Sequence, residues 1–420
     1  MITPWEVEGV VDYRRLLEEF GISPFGEFLN SIPNPHRLMR RGVIFGHRDY
    51  WRIAEAMKRR VEFAVMSGFM PSGAIHFGHK MTMDEIVWHQ KNGAKAFVAI
   101  ADMEAHLVRG LSYEKTKQIG MEYVKSIIAL GLEEDALIYF QSKNDLVKDL
   151  AYELSAEVNL NEMRAIYGFT GDTTVSKAFV SLIQSADILQ PQLKNFGGPK
   201  PVVVPVGADQ DPHLRLTRDL ASRINIFSFE TIGNGLRVRS RKEEMLEKLK
   251  ELGFEFKKFE GHVDIFGDPQ EIEKSLRELE IDLGGFGFVP PSSTYHKFTT
   301  GLNGGKMSSS KPESYISLLD SPEIAVKKLR NALTGGRATA EEQKRLGGAP
   351  EKCVVFEFYT YHLVESDAEL KKLEEDCRSG KMLCGSCKRY ASELLAEFLK
   401  EHREKRDEAE GRIGEFNILY

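Results

Sequence analysis

The chain has 420 residues, of which 42% are hydrophobic and 29% charged, a composition typical of a soluble globular protein with two or three domains. Its net charge of −6 excludes no function that involves nucleic acid, because a nucleic-acid footprint is local. No run of about 18 apolar residues occurs, and the N-terminus lacks the apolar core of a signal peptide, so we expect a cytoplasmic protein with no membrane span.

Residues 1–60 are predicted to form an N-terminal extension. Within it, residues 36–60 hold eight Lys or Arg against two Asp or Glu, with Tyr50 and Trp51 among them. Two interpretations remain open at this point, an RNA-facing surface and a solvated basic helix face.

From residue 61 onward, strand patterns alternate with helix patterns. Strands are predicted at 61–66, 95–102, 135–142 and 201–207, and helices at 112–131, from 144 and at 209–223. Such alternation predicts an α/β fold with a Rossmann-like parallel sheet, which we assign to residues 61–225 and 286–319. Ligands of these sheets bind beyond the carboxyl ends of the strands, so PSGAIHFGH, ADMEAH and GADQD should converge there.

Two further regions are predicted. Residues 226–285 form an α/β insert, with helices at 242–253 and 268–280 and a strand pair at 254–267. Residues 320–420 form a helical C-terminal domain, because long charged helix patterns replace every strand signal.

Two motifs point to phosphate chemistry. In PSGAIHFGH (71–79), His76 and His79 lie where a glycine-bearing loop becomes a helix, and a helix N-terminus favours anions. The alternative is that both histidines merely cap the helix. In KMSSS (306–310), Lys306 and three hydroxyl groups suit a phosphate whose charge changes during a reaction, although alone the motif could be a surface loop.

All four cysteines lie within 35 positions and end in CGSC. Cysteines in this pattern suit a zinc site or an iron–sulfur cluster, and disulfides or free thiols are the remaining alternatives. The residues are Cys353, Cys377, Cys384 and Cys387.

Taken together, HFGH and KMSSS resemble the two signatures of class I aminoacyl-tRNA synthetases, with a serine replacing the second lysine of the second signature. Within that class the chain is similar to archaeal tryptophanyl-tRNA synthetases, on stretches that include IYGFTGD, SADIL, VPVGADQDPHLRLTRD, LTGGRATAEEQKRLGG and SGKMLCGSCKR. The resemblance implies activation of L-tryptophan by ATP with Mg²⁺, transfer to tRNA(Trp), a homodimer, and anticodon binding by residues 320–420. It also favours a [4Fe–4S] cluster over Zn²⁺, since a subset of these enzymes carries one in that domain.

The resemblance also implies roles for individual residues. It makes His76, His79 and Lys306 catalytic groups that act on phosphate. The implied ATP-binding residues are Gly78, Asp209, Met307, Ser308 and Ser309, and the implied tryptophan-binding residues are Met66, Glu104, Gln184, Asp187 and Gln210.

The nearest alternative is a tyrosyl-tRNA synthetase. In those enzymes a tyrosine that helps to bind the substrate hydroxyl stands where this chain has Met66. An indole needs one acceptor for its single N–H, and Asp187 can be that acceptor, so tryptophan is favoured. A synthetase-like protein without ligase activity is a second alternative, but His79 and Lys306 are both present.

Overall fold

The computed structural model describes residues 13–305, 307 and 311–420. The strands within these residues form two sheets. In chain order they are β1 Ser23–Pro24, β2 Ile44–Arg48, β3 Phe63–Phe69, β4 Ala94–Ile100, β5 Leu137–Phe140, β6 Val202–Gly207, β7 Phe227–Ile232, β8 Gly235–Ser240, β9 Glu255–Phe259, β10 His262–Phe266, β11 Ser292–His296 and β12 Asn417–Leu419.

The larger sheet has the strand order β1-β2-β11-β6-β3-β4-β5-β12. All neighbours from β11 to β12 are parallel, whereas β2 is antiparallel to both β1 and β11. The predicted Rossmann-like fold class is therefore confirmed. The expectation that no strand lies beyond residue 320 was wrong, because Asn417–Leu419 pairs with β5. Three residues are too few to produce a visible alternation of apolar and polar positions.

Helices cover both faces of this sheet. The α-helices of the described residues are α1 Tyr13–Phe20, α2 Arg37–Arg40, α3 Trp51–Arg59, α4 Phe77–Lys91, α5 Asp102–Arg109, α6 Tyr113–Ala129, α7 Asp145–Ser155, α8 Leu160–Tyr167, α9 Val175–Leu189, α10 Asp211–Ile224, α11 Pro269–Asp282, α12 Pro322–Arg330, α13 Ala340–Leu346, α14 Val354–Phe358, α15 Asp367–Arg378 and α16 Cys384–Arg412. None of the helices in the described ranges is long and apolar enough to span a bilayer.

The sheet separates two hydrophobic cores, and β3 contributes to both. Val65 packs into the core that includes α4, α6 and α16, whereas Ala64 and Met66 pack into the core that includes α7, α9 and α10. Successive strand residues point to opposite faces, so a strand covered on both sides must be apolar throughout. Burial on both faces explains why residues 63–66 (FAVM) are all apolar. Because β3 lies in the middle of the strand order, the loop that follows it opens at the centre of the sheet edge.

Residues 226–285 contain the second sheet, which is antiparallel with the order β7-β8-β10-β9. Its core is separate and is formed mainly with α11 and a 3₁₀ helix at Glu243–Leu252. The predicted strand pair at 254–267 is present as β9 and β10, and the helix predicted at 242–253 is of the 3₁₀ type. The assignment of domain boundaries stays a prediction.

Three arginines of the basic stretch 36–60 bind to the region after residue 359, and of these Arg40 is exposed. Arg41 donates to the carbonyl oxygens of Thr360 and Val364 at 2.7 and 2.8 Å, and Arg40 donates to Asp367 at 2.7 Å. Arg37 donates to the carbonyl oxygen of residue 361 at 3.0 Å. The side chains of Arg37 and Arg41 are largely buried and attach the N-terminal segment to the helices after residue 350, so a solvated helix face does not describe these two.

Candidate functional site

A cleft with a volume of about 410 Å³ opens at the carboxyl ends of the central parallel strands. The loops after β3, β4, β5 and β6 contribute to it, as the strand order requires. Ten of the predicted site residues line it, namely Met66, His76, Gly78, His79, Glu104, Gln184, Asp187, Asp209, Gln210 and Met307. The predicted residues Lys306, Ser308 and Ser309 lie outside the described residues.

The two histidines of HFGH cap helix α4 reciprocally. Nδ1 of His76 accepts from the Gly78 N–H at 3.1 Å, and Nδ1 of His79 accepts from the His76 N–H at 3.2 Å. Since each Nδ1 is an acceptor, the proton of each neutral ring is on Nε2. The capping alternative and the phosphate-binding prediction are thus compatible, because capping leaves an Nε2–H donor on each ring.

Both imidazoles are neutral near pH 7. Burial lowers the pKa of His79 to about 4, and burial together with the neighbouring His79 lowers the pKa of His76 well below its usual value. The rings are stacked, with centroids 3.8 Å apart. Anion binding at this site therefore relies on hydrogen-bond donors and the N-terminus of α4, and not on imidazolium charge.

Glycine at position 78 makes room for the neighbouring ring. A Cβ atom there would lie 2.9 Å from Cε1 and 3.0 Å from Nδ1 of His76. It would also approach the sulfur of Met307, at 3.5 Å. A side chain at this position would displace the His76 ring, so the glycine is needed for the cap as well as for close approach to a ligand.

The opposite end of the cleft is built around Asp187 on α9. This carboxylate is buried and accepts from the Tyr139 hydroxyl at 2.9 Å and from Gln141 Nε2 at 2.6 Å. Burial raises its pKa to about 7, in opposition to the two hydrogen bonds, and the nearby Glu104 and Asp102 raise it further. Asp187 is therefore held rigidly, and each oxygen keeps a second lone pair for a ligand.

Hydrogen-bond acceptors predominate at this end of the cleft. Gln184 Nε2 donates to Glu104 at 3.0 Å, and burial raises the pKa of Glu104. The side-chain carbonyl oxygens of Gln184 and Gln141 are buried and have no hydrogen-bond partner within the described part of the chain. Unsatisfied buried acceptors are costly, so this end of the cleft is suited to a ligand that brings N–H donors and positive charge.

Sequence reasoning missed Tyr139 and Gln141. Gln141 follows β5 at the same sheet edge as the other loops, so the rule that identified ADMEAH would also have identified it. Tyr139 had no such signal, because it lies within an apolar strand. His213 and His296 also line the cleft, and each bonds to a neighbouring hydroxyl, of Tyr167 at 2.9 Å and of Thr82 at 3.1 Å.

The four cysteines surround a second, much smaller cavity of about 20 Å³. All four are free thiols. Burial raises the pKa of Cys387 to about 12, although the Tyr359 hydroxyl lowers it, and the other three cysteines add to the increase. Among the described residues, no group of three or more His, Cys, Asp or Glu side chains has the arrangement of a metal-ion site.

Comparison with known proteins gives consistent results. The family described as tRNA synthetases class I (W and Y) matches residues 57–243 and 269–400. The chain is 69% identical to a tryptophan–tRNA ligase of Archaeoglobus fulgidus, with 96% of each chain covered, and 54% identical to one of Methanosarcina acetivorans, with 100% of this chain and 99% of the other covered. It is 43% identical to the crystal structure of tryptophanyl-tRNA synthetase from the hyperthermophilic archaeon Aeropyrum pernix, with a TM-score of 0.77 and 99% of each chain covered.

Proposed function

The chain belongs to the class I tRNA synthetases of the tryptophan and tyrosine group and acts as a tryptophan–tRNA ligase, and we propose how the residues of its cleft carry out this reaction. Enzymes of this class use ATP, generally with Mg²⁺. In the first step a carboxylate oxygen of tryptophan attacks the α-phosphate of ATP, and the bond to the leaving pyrophosphate breaks. In the second step the tryptophanyl group passes to a terminal ribose hydroxyl of tRNA(Trp), and AMP leaves.

The acceptor-rich end of the cleft is the amino-acid site. Asp187 accepts the indole N–H, while the free carbonyl oxygens of Gln184 and Gln141, with Glu104, receive the ammonium group. Gln210 completes the contacts to the ammonium and carboxylate groups. A phenol brings a hydroxyl that also requires a donor, and the apolar Met66 supplies none, so tyrosine is disfavoured. The observation that carries this assignment is the pair of buried, unpartnered carbonyl oxygens.

The donor-rich end is the phosphate site. The Nε2–H groups of His76 and His79 donate to phosphate oxygens, and Asp209 accepts from the ribose hydroxyls. Lys306, with Met307, Ser308 and Ser309 beside it, stabilises the charge that develops on the leaving pyrophosphate. Little covalent chemistry falls to the protein, because phosphoryl-group chemistry of this type depends on positioning and charge.

Amino-acid-dependent exchange between ATP and pyrophosphate tests the amino-acid site. The wild type should exchange with tryptophan at least about tenfold better than with tyrosine, as expected for one hydrogen bond to a charged group. Gln184→Leu should raise the KM for tryptophan and leave the KM for ATP unchanged. Gln90→Leu is a matched control, since Gln90 is a buried amide of α4 that bonds to residues 133 and 135 and does not line the cleft. Equal effects of the two substitutions would contradict the assignment.

We assign tRNA binding to the helical region 320–420, where Lys381 and Arg389 are exposed. Replacing both by alanine should weaken tRNA charging and its salt dependence while pyrophosphate exchange stays unchanged.

We also propose that two copies of the chain form a homodimer. The consecutive helices α7, α8 and α9 expose large apolar side chains, namely Tyr152 at 74%, Leu160 at 66% and Val175 at 85%. Val175→Glu should shift the sedimentation coefficient to that of a monomer, and an unchanged coefficient would reject this surface.

The four cysteines hold a [4Fe–4S] cluster in our proposal. The four thiols share one cavity, and burial together with the neighbouring cysteines raises the pKa of Cys377 and of Cys387, so thiolates at this site need a cation. In the cytoplasm, where we propose the protein works, thiols stay reduced. Anaerobically purified protein should be brown and contain iron and sulfide, and Cys387→Ser should lose both. Colourless protein with neither iron nor zinc would reject every metal assignment.

A further inference from the structure

Glu357 of α14 holds the segment that leads into KMSSS. One carboxylate oxygen accepts from the Thr300 N–H at 2.6 Å, and the other accepts from the Thr300 hydroxyl at 2.6 Å. The two residues are 57 positions apart in the sequence. A carboxylate that accepts both donors of one threonine fixes the peptide and the side-chain rotamer together.

Thr300 lies next to the contact that closes the loop. The Met307 N–H donates to the Thr299 carbonyl oxygen at 3.2 Å, and the Leu302 N–H donates to the Ser314 carbonyl oxygen at 2.9 Å. These two bonds define the base of the loop that carries Lys306. Thr300 lies between these two contacts in the sequence, so its bonds to Glu357 fix the described chain at the base of the loop.

The helix that carries Glu357 is itself rigid. Val355 and Phe358 of α14 are 0% and 1% exposed, and the Glu357 N–H donates to the Cys353 carbonyl oxygen at 3.0 Å. A second connection joins α14 to the base of the loop through Leu333. The Leu333 N–H donates to the Leu302 carbonyl oxygen at 2.8 Å, and the N–H of residue 354 donates to the Leu333 carbonyl oxygen at 3.1 Å. Glu357 therefore acts from a fixed support.

We propose that Glu357 is a positioning residue for adenylate formation, which holds the base of the KMSSS loop so that Lys306 reaches the phosphate groups. This inference rests on the proposed role of Lys306. It assigns to a helix of the C-terminal region a function in the first reaction step, which tRNA does not enter. Burial raises the pKa of Glu357, and the two Thr300 donors and Lys297 oppose this increase.

Glu357→Gln tests the proposal, because a glutamine fits the space but offers one acceptor in place of two. Single-turnover adenylate formation should slow about tenfold or more, the equivalent of one hydrogen bond to a charged group. Tryptophan binding, followed by fluorescence, should keep its Kd. Glu280→Gln is the matched control, since buried Glu280 also accepts two backbone N–H groups, of Ile226 and Phe227, but lies in the insert. It should leave the rate unchanged.

Thr300→Val provides a second variant if Glu357→Gln fails to fold. It removes only the hydroxyl bond and should slow the same step to a smaller extent. The proposal is overturned if both variants fold and form adenylate at the wild-type rate while Lys306→Ala abolishes it. If Lys306→Ala itself has no effect, the proposed function of the loop fails first. A loss of rate in Glu280→Gln as large as that in Glu357→Gln would indicate general destabilisation and would also overturn the proposal.

Discussion

Replacing Asp187 by alanine removes the acceptor assigned to the indole N–H. A hydrogen bond to a charged group contributes about 1.5–3 kcal/mol, so the KM for tryptophan should rise about 10- to 150-fold. The KM for ATP should barely change, because the HFGH motif lies at the other end of the cleft. Pyrophosphate exchange with each substrate varied in turn measures both constants.

The same substitution should also destabilise the fold. The Tyr139 hydroxyl and the Gln141 amide both donate to Asp187 and would lose their acceptor inside a buried network. Each unsatisfied donor costs about 1–3 kcal/mol, so the free energy of unfolding should fall by about 2–6 kcal/mol. Urea unfolding of the variant gives this value directly.

Tyr139→Phe separates the two effects. It removes one donor from the Asp187 network but leaves the carboxylate facing the cleft, so it should lower stability while the KM for tryptophan stays close to that of the wild type. The reasoning is refuted if Asp187→Ala retains the wild-type KM for tryptophan. It is equally refuted if Tyr139→Phe raises that constant as much as Asp187→Ala does.

Three further predictions follow from charge. Lys306→Ala should slow single-turnover adenylate formation strongly and leave tryptophan binding nearly intact, because its charge acts mainly in the transition state; an unaltered rate would contradict this. Since the pKa of Asp187 is raised to about 7, the KM for tryptophan should fall as pH rises through 7 and the stronger, ionised acceptor forms, and this dependence should vanish in Asp187→Asn. Burial raises the pKa of Glu85 to about 8 from 4.5, so the unfolded chain binds fewer protons between these values and stability should fall as pH rises across them. In Glu85→Gln the free energy of unfolding, measured with urea at pH 5 and at pH 8, should decline less between the two pH values. A decline as large as that of the wild type would contradict the role of Glu85.

Local sequence patterns predicted the sheet because the burial of a strand determines which of its residues are apolar. The apolar run of β3 follows from burial on both faces, and the turn residues after it mark where the strand ends. Together they place the histidines of HFGH at the edge of the sheet. The geometry around Asp187 could not be predicted in this way. Its partners are Tyr139 in β5 and Gln141 just after β5, almost 50 positions earlier, and an apolar strand pattern gives no sign that a hydroxyl within it faces a carboxylate.

Contacts between distant segments account for the other differences. Arg41 binds carbonyl oxygens more than 300 positions later, and a charge count over 36–60 cannot distinguish such an arginine from one in solvent. Glu357 in VVFEFYTYH resembles an ordinary charged position of a helix, and only the fold brings it to Thr300. Sequence motifs identify the residues that can act on a substrate, whereas the residues that hold them in position are brought to them only by long-range packing.

The place of β2 in the sheet has a consequence for the order in which the chain folds. β2 joins the parallel strands only through β11, and its other neighbour β1 has two residues, too few to form a stable hairpin alone. A chain synthesised at about 5–20 residues per second needs roughly 10–50 s to proceed from residue 48 to residue 296. During that time the apolar segment around Val43 and Ile44 has only the two residues of β1 as a neighbouring strand. The arginines that flank it at 40, 41 and 48 would then act as gatekeepers against aggregation on the ribosome, before each finds its partner in the finished fold.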